Sequence, residues 1–81
     1  MKPTDAEIQE ENKKVRRLQF LVSLVISVIS QSQTMPVEEA SEMVAATKRA
    51  ALAMFPDKEF TYDLIYKPRL QRLLNEKYGI Q

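Results

Sequence analysis

Acidic side chains one helical turn apart are the residues of this chain best spaced for acid–base chemistry. Two such pairs occur, Glu7 with Glu11 and Glu38 with Glu42. General acid–base catalysis needs a carboxylate whose pKa is shifted by an apolar pocket. These pairs lie at predicted helix starts instead, where solvated acids complement the positive end of the helix dipole. We therefore expect no catalytic residue here.

The residue types that are missing narrow the chemistry further. The 81-residue chain has no histidine, no cysteine and one glycine. Serine–histidine triads and zinc sites of imidazole or thiolate are thereby excluded, and a phosphate-cradling glycine loop would need several glycines. Glu38, Glu39 and Glu42 lack the spaced Asp, Asn and Gly residues of a calcium loop. The sequence predicts a non-enzymatic protein with no metal site and no cofactor.

One segment interleaves aromatic and basic side chains around Pro68. Its members are Tyr62, Tyr66, Lys67, Arg69 and Arg72. Such a surface can meet phosphates or an acidic protein, which makes a nucleic-acid-binding accessory protein the alternative function, with Lys48 and Arg49 as further cations. The plainer interpretation is a helix start with half-buried tyrosines and solvated cations. The sequence pI of about 8.0 favours that interpretation, because nucleic-acid-binding domains are usually more basic.

The apolar stretch from Leu18 to Ser30 dominates the chain. Its serines at 23, 27 and 30 recur at helical spacing, although the β-branched residues between 20 and 29 also suit a strand. In a helix the polar residues form one narrow strip, and an apolar arc of roughly 240° remains. Thirteen residues are too few to span a bilayer, which takes about 20. We expect a core helix of a soluble, cytoplasmic protein that does not enter a membrane.

A heptad pattern suggests what covers part of this arc. Ile8, Val15, Val22 and Ile29 are seven residues apart, and Leu18 and Val25 take the companion positions. β-Branched residues with apolar partners at this spacing favour two-stranded coiled coils, although a short amphipathic core helix can match the same pattern. The six residues are the predicted interface of a homodimer.

Start and stop signals place three helices in one domain, residues 1–81. Helix 1 is predicted over about 5–31, capped by Thr4 with Glu7, and helix 2 over about 35–55, capped by Thr34 and ending before Pro56. Helix 3 is predicted over about 62–78, capped by Thr61 and kinked or broken at 67–68 by Pro68. Gly79 should be its left-handed C-terminal residue, with Ile80 folding back against Leu74.

The predicted fold class is therefore all-α, a small three- to four-helix bundle with a long N-terminal helix that assembles as a helical homodimer. A domain of 81 residues buries only about 60–65% of its surface, and the remaining apolar residues are too few to cover the arc. The predicted function is protein–protein contact. A cavity for an apolar ligand between the helices is a third hypothesis, and sequence alone does not locate one.

Overall fold

The computed structural model describes residues 4–79, which form four helices and no strand. Helix α1 spans Asp5–Gln31, α2 spans Val37–Met54, α3 spans Glu59–Ile65 and α4 spans Lys67–Tyr78. The all-α prediction is confirmed, and α1 has the predicted bounds.

A capping box starts α1. The Thr4 hydroxyl accepts a hydrogen bond from the Glu7 backbone N–H at 3.2 Å, and the Glu7 carboxylate accepts one from the Thr4 N–H at 3.3 Å. These bonds satisfy two backbone groups that the helix start would otherwise leave unpaired. The predicted cap is confirmed.

The other two predicted caps are wrong. Helix α2 starts at Val37 behind Pro36, whose extended backbone (φ −71°, ψ 158°) occupies the N-cap position and gives no side-chain bond. Thr34 is therefore too far from the helix start to cap it. Helix α3 starts at Glu59, directly after the turn at 56–58, so Thr61 lies inside the helix.

The predicted break near Pro68 is present and lies one residue earlier. Helix α3 ends at Ile65, Tyr66 links the two helices, and Pro68 lies in the first turn of α4. Proline is tolerated there because first-turn N–H groups have no partner inside the helix. Gly79 adopts the expected left-handed conformation, with φ 67°. Ile80 lies outside the described residues.

The core forms where α1 packs against α2 and α4. Alanines 40 and 51 on α2 are almost fully buried and allow close approach of the helices, whereas the neighbouring Ala50 is exposed. Ile29 of α1 and Leu70 of α4 are fully enclosed. The buried core residues are Leu18, Val22, Val25, Ile29, Ala40, Thr47, Ala51, Tyr62, Leu70 and Leu74.

Two hydrogen bonds, which we call the α4 clasp, attach the end of α4 to the α1–α2 loop. The Lys77 ammonium donates to the Ser32 carbonyl at 2.6 Å, and the Tyr78 hydroxyl donates to the Met35 carbonyl at 2.9 Å. Both carbonyls lie in the short segment between the helices. The clasp thus links residues more than 40 positions apart in the sequence.

The N-terminal half of α1 extends beyond this core. All residues of this N-terminal arm, residues 5–17, are exposed except Lys14, which is half-buried. The molecule measures 48 × 21 × 16 Å, and its radius of gyration is 14.6 Å. A compact chain of this length would have about 12 Å. The arm therefore makes the molecule elongated.

Candidate interaction site

The six residues of the predicted dimer interface divide into two groups. Leu18, Val22, Val25 and Ile29 are buried by the chain's own α2 and α4. Ile8 and Val15 of the arm are partly exposed. Most of the heptad row is therefore buried within the chain itself and is not available to a second chain.

Another face of α1 carries a row of uncovered large apolar side chains. Phe20 is 70% exposed, Leu24 47% and Val28 40%, and they follow one another at intervals of four residues. This spacing places them on one side of the helix, opposite the buried row. We call these three residues the α1 stripe. The predicted apolar arc is thus real, and the bundle covers only part of it.

The basic–aromatic segment is split by the fold. Tyr62 is only 4% exposed and Tyr66 is half-buried, with their ring centroids 5.6 Å apart. Lys67, Arg69 and Arg72 are exposed. The aromatic rings therefore belong to the core, and they are not free to stack on nucleic-acid bases together with the cations.

The other cations considered for nucleic-acid binding are ion-paired. The Lys48 ammonium lies 2.9 Å from an Asp63 carboxylate oxygen and 3.3 Å from one of Glu59, which joins α2 to α3. Its hydrogen bond to Asp63 is the main cause that raises the pKa of Lys48. Arg49 lies 2.7 Å from Glu42 on the exposed surface of α2.

The carboxylate pairs considered for acid–base chemistry are all solvent-exposed. In residues 4–79 no three acidic side chains come close enough together to hold a metal ion. Over the same range, no helix has both the length and the hydropathy needed to cross a membrane.

A cavity of about 220 Å³ lies between the arm of α1 and α3, partly open to solvent. No Cα atom of α1 comes within 8 Å of one in α3, so the two helices leave space between them. We call this space the α1–α3 cavity. Its walls are Glu11, Val15, Leu18, Ala51, Leu52, Phe55, Lys58, Thr61, Tyr62, Ile65 and Tyr66.

Tyr62 is the unusual member of this wall. Its hydroxyl is buried and has no hydrogen-bond partner among the described residues. Burial is the main cause that raises the pKa of Tyr62 above its ordinary value of 10.0. The folded chain therefore holds this proton to higher pH than a solvated tyrosine would.

Sequence reasoning missed both the α1 stripe as a surface and the cavity. Phe20, Leu24 and Val28 were visible as part of the apolar arc, but nothing in their types distinguished them from the buried row. The small side chain of Ala51 beside the larger Leu52 and Phe55 was the only sequence signal for a space near the end of α2.

Fold and surface together define a small helical bundle with an uncovered apolar face. Comparison with protein-family models, with curated protein sequences and with solved structures gave no match.

Proposed function

We propose that this is a non-enzymatic protein that acts through protein–protein contact and forms a homodimer through α1. The α1 stripe is the observation that supports the proposal. Three large apolar side chains in one exposed row lose contact with water when a second helix lies against them. The absence of histidine and cysteine from the sequence and the solvation of the carboxylate pairs support a non-catalytic role.

The size of the stripe indicates how tight the contact is. At about 1.5 Å rise per residue, Phe20 and Val28 are about 12 Å apart along the helix. Stable protein interfaces bury roughly 800 Å² on each partner, which is more than three side chains supply. We therefore expect a dimer that dissociates on dilution.

Sedimentation equilibrium over a range of protein concentrations tests the proposal. The mass should rise from the 9.4 kDa monomer toward twice that value as the concentration increases. The double variant Phe20→Glu with Leu24→Glu should remain monomeric while keeping its helical circular dichroism, because both side chains already lie outside the core.

The matched control adds the same two charges to the polar strip of the same helix. Gln19→Glu with Ser23→Glu changes two exposed residues and should dimerise like the unmodified chain. A constant mass of 9.4 kDa for the unmodified protein, or equal dissociation of both double variants, would contradict the proposal.

The structure gives less support to nucleic-acid binding. Lys67, Arg69 and Arg72 are exposed, but the two tyrosines that would have stacked on bases pack inward. Lys48 and Arg49 are held by carboxylates. The proposal is therefore restricted to protein contact.

A further inference from the structure

Small and large apolar side chains together line the α1–α3 cavity. Ala51 of α2, which is almost fully buried, lines it together with Val15, Leu52, Phe55 and Ile65. No Cα atom of α1 lies within 8 Å of one in α3, so the two backbones stand apart where the cavity lies. The cavity is therefore a product of the helix arrangement.

The lining determines what occupies the cavity favourably. A buried water needs two to four polar partners, and an apolar cavity of about 150 Å³ stays dry and takes benzene. The described cavity is larger, about 220 Å³, is partly open to solvent, and is lined mainly by apolar side chains. An apolar molecule of one or two fused rings matches this size, and moving its surface from water onto the apolar lining is favourable.

The charges at the mouth decide between a neutral and a charged ligand. Glu11 on α1 and Lys58 before α3 are the charged residues of the wall, and both are exposed. Their opposite charges cancel, so the cavity opening has no net electrostatic attraction for either a carboxylate or an ammonium group of a ligand.

We propose that the α1–α3 cavity is a binding site for a small uncharged apolar molecule about the size of indole. The site is separate from the α1 stripe, which lies on the opposite side of the helix, and the inference does not depend on dimer formation. In this proposal α1 has a second role besides protein contact, because its arm forms one wall of the ligand site.

Indole is the probe for the test, and carbon-detected methyl NMR spectra of the full chain provide the readout. Saturable shifts should appear at the methyl groups of Val15, Leu52 and Ile65, which line the cavity. The methyl groups of Leu24 and Val28 should not shift, because they lie on the opposite face of α1.

A neighbouring pair of alanines provides the blocking variant and its control. Ala51→Leu places extra methyl groups in the cavity and should weaken indole binding by at least about tenfold, or 1.4 kcal/mol. Ala50→Leu adds the same groups on the exposed side of the same helix and should leave binding unchanged. Thr61→Trp, at an exposed position of the wall, is a second blocking variant if Ala51→Leu does not fold.

Three results would overturn the inference. One is the absence of saturable shifts at the cavity methyl groups. Another is indole binding outside the cavity, seen either as binding that persists in both blocking variants or as equal shifts at Leu24 and Val28. The third is a shift of the cavity methyl groups with protein concentration alone, which would show that a second copy of the chain occupies the cavity.

Discussion

Two tyrosine hydroxyls of this small core have opposite surroundings. The Tyr78 hydroxyl donates to the Met35 carbonyl at 2.9 Å as part of the α4 clasp. The Tyr62 hydroxyl is buried with no partner among the described residues. A buried polar group without a partner loses its hydrogen bonds to water and gains nothing in return, so its burial costs free energy.

Removing the two hydroxyls should have different effects on the free energy of unfolding. Tyr62→Phe should leave the free energy of unfolding unchanged or raise it by up to about 1 kcal/mol, because an uncompensated polar group is removed. Tyr78→Phe should lower it by about 1 kcal/mol, because a hydrogen bond is lost and the Met35 carbonyl is left unpaired. Urea unfolding at neutral pH measures both values. A larger loss for Tyr62→Phe than for Tyr78→Phe would contradict this account.

The raised pKa of Tyr62 makes the stability of the folded chain depend on pH in the alkaline range. In the unfolded chain the hydroxyl ionises near its ordinary value of 10.0, whereas in the folded chain it keeps its proton to higher pH. Above about pH 10 the unfolded state therefore binds fewer protons, and stability falls as the pH rises. Tyr62→Phe should remove this part of the alkaline loss, and Tyr78→Phe should retain it.

At the scale of elements, the two halves of α1 differ in burial. Its C-terminal half supplies four buried residues to the core, whereas residues 5–17 form the exposed arm. Helices obtain most of their stability from packing of an apolar face. The capping box at Thr4 is consequently the main local support at the N-terminus of the arm.

Amide hydrogen exchange should separate the two halves. Amides around Ile8 should exchange at least about 100-fold faster than those around Val25, because opening the arm exposes little apolar surface. Thr4→Ala should increase exchange in the arm further and reduce the helical circular dichroism signal. Thr34→Ala is the matched control, since Thr34 caps no helix, and it should change neither. Equal protection of both halves of α1 would contradict this prediction.

The elements also show how far local sequence rules predict this fold. The bounds of α1 follow from its capping box and its apolar period, and the break near Pro68 follows from the missing N–H. Thr34 failed as a cap because Pro36, two residues later, fixed an extended conformation at the true N-cap. The N-cap of α2 is therefore set by the backbone geometry at Pro36, and the capping preference of threonine alone does not predict it.

At the scale of the whole molecule, the location of the candidate sites depended on tertiary packing. The apolar arc of α1 was readable from its sequence, but α2 and α4 determine which part of it is buried. Leu18, Val22, Val25 and Ile29 of the heptad row pack within the chain, whereas the α1 stripe stays exposed. The cavity depends on the distance between α1 and α3, which no local pattern encodes.

Charge distribution over the whole molecule leads to a prediction about nucleic acids. The net charge is only +1, and most of the exposed basic residues are divided between α1 and α4. Titration with single-stranded and duplex oligonucleotides at low salt should therefore show no saturable binding, as followed by fluorescence anisotropy. Binding that weakens steeply with added salt and is lost in Arg69→Ala with Arg72→Ala would contradict it. The matched control for that pair is Arg16→Ala with Arg17→Ala on the arm.

The order in which the core residues occur along the chain has a consequence for synthesis. The buried face of α1 is translated first, yet Leu74 of α4, which helps to cover it, follows Ile29 by 45 positions. At about 5–20 residues per second, the ribosome needs roughly 2–9 s to make that part of the chain. During this interval the apolar face of α1 lacks part of its final cover and stays exposed to water.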